Sequence, residues 1–192
     1  IKEARYWARK LGLLLIPGEE ITTNCGHVLA LGINEEVRRG IDFFEALDVI
    51  HEQGGVAIAA HPFDFRKEGV GKLAIYCDAI EAFNAMNLDR FANWRAFRFA
   101  KENGMPMVAG SDAHCVEMLG HGLNALPPCQ TIDEVLNAIK HGEVRMKTKY
   151  VSTSVMKEWI VRRLRYSYYY VVNYISHNYS KPKRAVSLRL LR

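Results

Sequence analysis

Carboxylate and imidazole side chains occur at three separate places where an apolar run gives way to polar residues. Glu20 follows a Pro-Gly pair, His61 follows the apolar run 56–60, and Asp112 and His114 lie in the sequence Gly-Ser-Asp-Ala-His. Such side chains are oxygen and nitrogen ligands for Zn²⁺, Mn²⁺ or Fe²⁺. The pattern indicates a metal site whose ligands come from distant parts of the chain.

Each candidate also has a structural explanation. Glu20 alone is compatible with a solvated turn carboxylate, and His27, which begins an apolar run, with a core or edge histidine. For His61 both explanations stay open, and the following Pro62 predicts an extended backbone that directs it out of the sheet. The joint occurrence of these residues favours the metal site.

Asp112 and His114 are separated by one residue, so in an extended segment both side chains would face the same way. They would then reach one ion or two neighbouring ions. Arg66 and Lys67, in the loop after Pro62, are candidates for holding a substrate phosphate, with solvated loop charges as the alternative. Asn84 is a candidate pocket residue, with a turn amide as the alternative.

The elements that must position these residues alternate between strands and helices. Helices are predicted at 1–11, 41–51, 88–103 and, after the capping box at Thr131, as far as Gly142, and strands at 13–16, 28–32, 56–60, 79–83 and 107–109. This order implies a parallel sheet with right-handed crossovers. Ligand-type residues after several strands favour a barrel, with an open sheet as the alternative.

Composition limits the class of protein. The chain has 192 residues, 49% hydrophobic and 24% charged, as in a globular protein with one sizeable core. It contains no apolar stretch long enough to span a membrane and no secretory signal pattern, so we expect a cytoplasmic protein. The four cysteines form no Cys-x-x-Cys pair and predict neither a zinc ribbon nor a disulfide framework.

The segment 151–192 differs from the segment 1–150, and we expect the former to be a separate basic tail. It carries nine Lys and Arg residues against one Glu, whereas the whole chain has 26 basic and 21 acidic residues. Apolar residues recur at helical spacing between 155 and 175, which predicts an amphipathic helix. Its apolar face is compatible with packing on the barrel or on a second copy of the chain. Binding to nucleic acid and association with a membrane surface would also suit a basic amphipathic helix.

Five motifs together resemble the PHP (polymerase and histidinol phosphatase) family. They are Pro-Gly-Glu-Glu-Ile-Thr-Thr at 17–23, Gly-His-Val-Leu-Ala-Leu-Gly at 26–32, Ala-His-Pro-Phe at 60–63, Ile-Glu-Ala-Phe-Asn at 80–84 and Gly-Ser-Asp-Ala-His at 110–114. The resemblance implies a distorted (β/α)7 TIM-like barrel, here incomplete at its N-terminus, followed by the basic helix. It also implies up to three divalent metal ions and hydrolysis of phosphate esters.

The resemblance gives each site residue an expected role. Glu20 resembles the carboxylate that bridges two ions, and His27 and His61 resemble the histidines that complete one of them. Asp112 resembles a ligand of the second ion, and His114 a ligand of the third. Glu20, Asp112 and His114 are also the expected catalytic residues, Asp112 by orienting water and His114 as an acid near the leaving group.

The His-x-His motif that opens members of the family is missing from this chain. We therefore expect a fragment without the first strands, in which only the ion held by Glu20, His27 and His61 has a full ligand set. Glu19, beside Glu20, is not expected to bind metal. The preferred function is a metal-dependent phosphoesterase acting on phosphate esters, among which nucleotides and short nucleic acids are candidates. The alternatives are an incomplete barrel that binds nucleic acid or protein, and a metallohydrolase acting on a non-phosphate bond.

Overall fold

The computed structural model describes residues 2–66, 68–87 and 89–179. The chain divides into two compact units, Ile1–Val151 and Ser152–Arg192. The first unit contains α1 (Lys2–Leu11), β1 (Gly18–Thr22), β2 (His27–Leu31), α2 (Phe43–Glu52), β3 (Val56–Ala59), β4 (Ala79–Asn84), α3 (Arg90–Glu102), β5 (Met107–Gly110), β6 (Gly122–Ala125), α4 (Ile132–Lys140) and β7 (Arg145–Thr148). The second unit contains α5 (Thr153–Tyr179).

Five strands form a mixed sheet in the order β1-β2-β3-β4-β5, and β6 and β7 form a separate antiparallel pair. The strands β3, β4 and β5 are parallel, whereas β2 is antiparallel to both β1 and β3. Consequently the end of β1, the start of β2 and the ends of β3 to β5 all lie at one edge of the sheet. This edge carries the metal-ligand candidates.

The predicted mixture of strands and helices is confirmed, but the seven-stranded barrel is not, because the described strands form this five-stranded sheet and a two-stranded one. The all-parallel prediction is wrong for β1 and β2, which are joined by a short turn around Gly26 that leaves no room for a crossover. The predicted strand at 13–16 is also wrong, since these residues are irregular and strand β1 begins at Gly18.

The sheet has apolar packing on both faces, as the fully buried strand β3 illustrates. Ala57 and Ala59 belong to the cluster that includes residues of α2 and α3, whereas Val56 and Ile58 pack with Leu136 of α4. Successive residues of a strand point to opposite faces, so one run of four apolar residues serves both layers. This packing holds β3 in the centre of the sheet and fixes where the chain leaves it at Ala60.

Local capping explains where the helices begin. The Asp42 side chain accepts hydrogen bonds from the backbone N–H groups of Phe44 and Glu45 at the start of α2. The N-cap half of the capping box predicted at Thr131 is present, because its hydroxyl accepts from Glu134 N at 3.2 Å. The Glu134 carboxylate accepts from Gln130 N at 2.6 Å, one residue before the N-cap. The bonds to Asp42 and Thr131 satisfy backbone donors that the first helical turn leaves unpaired.

The second unit contains the predicted basic helix, which runs as α5 over 27 residues. Arg162 pairs with Glu158 one turn earlier, and the Arg163 guanidinium lies over the Trp159 ring at 5.4 Å from its centre. None of the helices in the described residues is both long and apolar enough to cross a membrane. Residues 180–192 of the predicted basic tail lie outside the described part of the chain.

Candidate metal centre

Strand pairing brings Glu20 and His27 to the same face of the sheet. In the β1–β2 ladder Thr22 is opposite His27, and Glu20 is two residues before Thr22, so Glu20 and His27 are diagonal neighbours. Glu20 Oε1 lies 2.8 Å from His27 Nδ1. Glu19 points to the other face, where its carboxylate accepts a hydrogen bond from Val37 N at 2.8 Å. Glu20, and not Glu19, is therefore on the face of the sheet that carries His27.

His61 completes the group from the end of β3. Its side chain is only 5% exposed, and its Nε2 lies 3.2 Å from Glu20 Oε1. The extended backbone predicted from Pro62 is wrong, because His61 has a φ of 28° in the left-handed region. The chain turns sharply here, with Asp64 N donating to His61 O at 3.0 Å, and returns so that Glu68 O accepts from His27 N at 2.8 Å.

Glu20, His27 and His61 fit a divalent cation. One ligand atom from each lies within 4.8 Å of the others, and they are the group with this property among the described residues. His27 Nδ1 and His61 Nε2 both face Glu20 Oε1, and the other ring nitrogen of His61, Nδ1, is buried without a hydrogen-bond partner. Buried polar atoms are normally satisfied, so two imidazoles that share one carboxylate oxygen, one of them with an unpaired nitrogen, suit a bound cation. Two histidines and one glutamate form a set that leaves coordination positions open.

The charges of the three residues are coupled. The hydrogen bond from His61 is the largest influence on the pKa of Glu20, and with His27 it outweighs burial and lowers that pKa. Burial opposes protonation of His61, but the hydrogen bond to Glu20 and the charges of Glu81, Glu20 and Asp112 together raise the pKa of His61. A proton thus favours the position between Glu20 and His61. A cation that binds there must displace it.

Asp112 and His114 lie near this group but not within it. Asp112 has a φ of 47°, so the extended segment predicted for the two residues is wrong. Asp112 Oδ1 is 3.6 Å from His114 Nδ1, and the same nitrogen lies 2.8 Å from the backbone oxygen of Asp112. The His114 side chain is 42% exposed. Asp112 Oδ2 accepts from the Asn84 amide, which also donates to Glu81, and Glu81 in turn accepts from His61 N, so the Asp112 carboxylate lies at the margin of the site.

The loop after Pro62 presents Arg66, whose guanidinium is held by a buried carboxylate. Asp64 accepts from Arg66 Nε at 3.0 Å and from its terminal nitrogen at 2.7 Å, and Glu68 lies 3.2 Å from that nitrogen. The Asp64 side chain is 2% exposed, whereas that of Arg66 is 48% exposed. The Arg66 guanidinium is therefore fixed by Asp64 and Glu68, while about half of the side chain is exposed to solvent. Lys67 lies outside the described residues.

Asn84, the candidate pocket residue, is buried at the end of β4. It is 1% exposed, and its amide nitrogen donates to Asp112 Oδ2 at 3.3 Å and to Glu81 Oε2 at 3.2 Å. Its side-chain oxygen accepts from the N–H groups of Met86 and Asn87. The Asn84 side chain is therefore hydrogen-bonded through both its nitrogen and its oxygen, and one of its partners is Asp112.

Glu81 is the residue that sequence reasoning missed. It is 3% exposed in β4, and its Oε2 accepts from the backbone N–H of His61 at 2.8 Å as well as from Asn84. Burial raises the pKa of Glu81 to about 7. An acidic residue between two apolar ones in a strand that is otherwise buried was the available signal, because carboxylates are rarely buried unless they have partners.

The structure is a mixed α/β fold with a candidate carboxylate and imidazole metal site at one edge of its sheet, and known proteins share this fold. The family model described as "PHP-associated" matches residues 90–144. In fold, the chain is similar to a two-domain protein from Bacteroides vulgatus, described as containing a predicted PHP-like metal-dependent phosphoesterase, with a TM-score of 0.60 and 18% identity. These findings support the assignment to the PHP family that the motifs predicted.

Other relatives agree in sequence or fold. The chain is 35% identical over 115 residues to an uncharacterized protein of Methanocaldococcus jannaschii. The aligned segment covers 55% of this chain and 48% of that protein. A second uncharacterized protein of the same organism is 32% identical over 93 residues, covering 47% of this chain and 54% of the relative. PsfC from Pseudomonas syringae has a TM-score of 0.61 at 18% identity, covering 80% of this chain and 67% of PsfC.

Several of these matches cover only about half of the related protein. The match to the Bacteroides vulgatus protein covers 77% of this chain and 48% of that one. The chain spans about half the length of the curated relatives it matches. The likenesses at 18% identity concern the fold alone.

Proposed function

We propose that the chain provides the metal-binding part of a phosphoesterase that hydrolyses phosphate esters. The observation that carries this proposal is the convergence of Glu20, His27 and His61, whose ligand atoms lie within 4.8 Å of one another around one carboxylate oxygen. A divalent cation such as Zn²⁺, Mn²⁺ or Fe²⁺, when bound, would supply Lewis acidity toward a phosphoryl oxygen and lower the pKa of water. The description of the Bacteroides vulgatus protein supports the same chemistry.

Residues of the protein would perform the other steps of the hydrolysis. Glu20 has a lowered pKa, so it stays ionised and offers a carboxylate oxygen to a cation on its open side. Asp112, held by Asn84, would orient the attacking water or bind a second cation. His114 is exposed enough to reach the leaving group and donate a proton to it. Arg66, anchored by Asp64, would hold the substrate phosphate through the part of its guanidinium that faces away from that carboxylate.

Metal analysis combined with hydrolysis of p-nitrophenyl phosphate tests the proposal. The purified chain is loaded in turn with Zn²⁺, Mn²⁺ and Fe²⁺, and the variant His61→Ala is compared with His141→Ala, which alters a histidine at the end of α4. We expect stoichiometric metal and turnover that His61→Ala removes and His141→Ala retains. Full metal loading without turnover of any phosphate ester would favour a non-catalytic binding protein. Faster hydrolysis of p-nitrophenyl acetate than of the phosphate would favour a different metallohydrolase.

A second proposal concerns α5, which we infer binds single-stranded nucleic acid. Five tyrosines of this helix are between 60% and 80% exposed: Tyr166, Tyr168, Tyr169, Tyr170 and Tyr174. Lys157 and the three arginines at 162, 163 and 165 add positive charge along the same helix. Aromatic rings stack on bases, and arginine contacts phosphates, so this composition supports the proposal.

The test is fluorescence anisotropy of a labelled single-stranded oligonucleotide at low and high salt. Replacing Tyr169 and Tyr170 by Ala should weaken binding, whereas Tyr76→Ala, an exposed tyrosine in the first unit, should not. Stacking contributes on the order of 1 to 3 kcal/mol per base, so the double change should lower affinity at least about tenfold. Equal affinity of both variants would remove the proposal.

A further inference from the structure

Glu81 connects the two halves of the candidate metal centre through a single carboxylate oxygen. Oε2 accepts from the His61 backbone N–H at 2.8 Å and from the Asn84 amide at 3.2 Å, and that amide also donates to Asp112. The other oxygen of Glu81, Oε1, lies so close to Gly110 that the Cβ atom of any other residue at position 110 would overlap this oxygen. The carboxylate is therefore enclosed between β3, β4 and β5, with no room for another side chain at Gly110.

His61 and Asp112, which Glu81 contacts directly or through Asn84, share an unusual backbone conformation. Among the described residues, His61 and Asp112 are the non-glycine residues with positive φ, at 28° and 47°. Non-glycine residues avoid this region unless their surroundings impose it. At His61 the surroundings include a direct hydrogen bond from its N–H to Glu81. At Asp112 they include a hydrogen bond from the Asn84 amide, and that amide also donates to Glu81.

We propose that Glu81 is a positioning residue that fixes His61 directly, and Asp112 through Asn84, in the geometry needed to bind metal. The inference rests on the proposed metal site but not on the reaction catalysed there. Hydrogen bonds to the residues that ligate a metal orient those ligands, and their loss commonly weakens binding roughly 10- to 100-fold. Glu81 contacts the backbone of one candidate ligand and the amide that orients another.

A purely structural role for Glu81 is the competing explanation, and the chain offers a matched control. Asp78, just before β4, accepts from the Ala57 backbone N–H at 2.8 Å and from His51. It thus anchors the start of β3 as Glu81 anchors its end. Changes at Asp78 should disturb the same pair of strands without reaching the metal ligands.

The experiment measures Co²⁺ binding to the full chain by calorimetry and by the visible absorption spectrum of the bound ion, with Tm of the metal-free protein in parallel. We expect Glu81→Met to weaken Co²⁺ binding at least tenfold and to alter the spectrum. Glu81→Gln keeps an acceptor oxygen and should recover most of the affinity. Asp78→Asn should lower Tm while leaving affinity and spectrum unchanged. If Glu81→Met does not fold, Glu81→Asp, shorter by one methylene, should show the same loss of affinity.

Three results would overturn the inference. The first is a Glu81→Met or Glu81→Asp protein with reduced Tm but unaltered Co²⁺ affinity and spectrum. The second is a folded Glu81→Gln protein that binds no better than Glu81→Met. The third is a parent chain that binds no Co²⁺. None of these readouts needs turnover, so a chain that binds Co²⁺ through Glu81-dependent geometry but hydrolyses no phosphate ester would contradict the proposed function alone.

Discussion

Oε1 of Glu20 lies 3.2 Å from Nε2 of His61, although the two residues are 41 positions apart in the chain. The pairing of β1 with β2 and of β2 with β3 produces this proximity. The same oxygen lies 2.8 Å from His27 Nδ1. One carboxylate oxygen therefore faces two imidazoles, which is an arrangement that either a proton or a metal cation can stabilise.

The first prediction concerns the ligands themselves. Replacing His27 by Ala removes one nitrogen ligand and should reduce the affinity for Zn²⁺ by at least about tenfold, because two ligands hold the ion much less firmly than three. His27 is partly exposed and Glu20 keeps its contact with His61, so the Tm of the metal-free protein should change little. Calorimetry and thermal unfolding measure the two quantities. Equal Zn²⁺ affinity in His27→Ala and the control His141→Ala would contradict the three-ligand site.

The second prediction is that metal affinity depends on pH. The pKa of His61 is raised, chiefly through Glu20 against the opposing effect of burial, so below this raised pKa a proton competes with the metal. Affinity should therefore fall as the pH is lowered through that range, and binding should release a proton. Calorimetry in two buffers with different ionisation enthalpies measures the proton release. Identical heats in both buffers would count against a proton shared between Glu20 and His61.

The third prediction uses the close approach of Gly110 to Glu81. In Gly110→Ala the added methyl group would overlap the Glu81 carboxylate, and relieving this overlap should destabilise the protein by about 1 to 3 kcal/mol. Gly120→Ala is the control, because Gly120 has a φ of 77° and open space around it. The control should lose about 1 to 2 kcal/mol from the left-handed backbone alone. Only Gly110→Ala should also weaken metal binding, as measured by calorimetry.

Residue type, position and the resemblance to the PHP family selected the candidate ligands, but they did not predict the backbone geometry. Glu20, His27 and His61 are chemically distinctive, and the structure brings these three side chains together. The left-handed conformations of His61 and Asp112 depend on hydrogen bonds from distant strands, and no local pattern encodes them. For His61 the local signal from Pro62 pointed to an extended backbone, and the tertiary contacts prevailed.

The strand prediction at 13–16 failed for a related reason. Leu13 and Leu14 form an apolar run, which is the usual mark of a buried strand, yet their exposed fractions are 62% and 46%. A strand needs a hydrogen-bonding neighbour as well as apolar residues. The neighbouring segment 18–22 pairs with β2 instead, although only Ile21 within it is buried. Which segments pair in a sheet depends on the whole fold. The local apolar pattern therefore predicted the strand at the wrong residues.

The fourth prediction concerns stability at low pH. Burial would raise the pKa of Asp64, but its hydrogen bonds and charge interaction with Arg66 prevail and lower that pKa below its usual range. A carboxyl with a lowered pKa in the folded state stabilises the protein above its unfolded pKa, and this contribution is lost as the pH falls through the folded pKa. The Tm difference between the parent and Asp64→Asn should thus be large near neutral pH and shrink below about pH 4. A difference that stays constant over this range would mean that Arg66 does not set the pKa of Asp64.

The fifth prediction concerns Arg66 as the residue that holds a substrate phosphate. Arg66→Gln removes the charge and should raise KM for p-nitrophenyl phosphate by about tenfold or more, since a charge-assisted hydrogen bond contributes roughly 1.5 to 3 kcal/mol. The metal ligands are untouched, so Zn²⁺ affinity should be retained. Asp64→Asn is the matched comparison, because it keeps the guanidinium but releases its anchor, and it should raise KM less than Arg66→Gln does. If Arg66→Gln lowers kcat and leaves KM unchanged, the guanidinium acts on the transition state and does not hold the bound substrate.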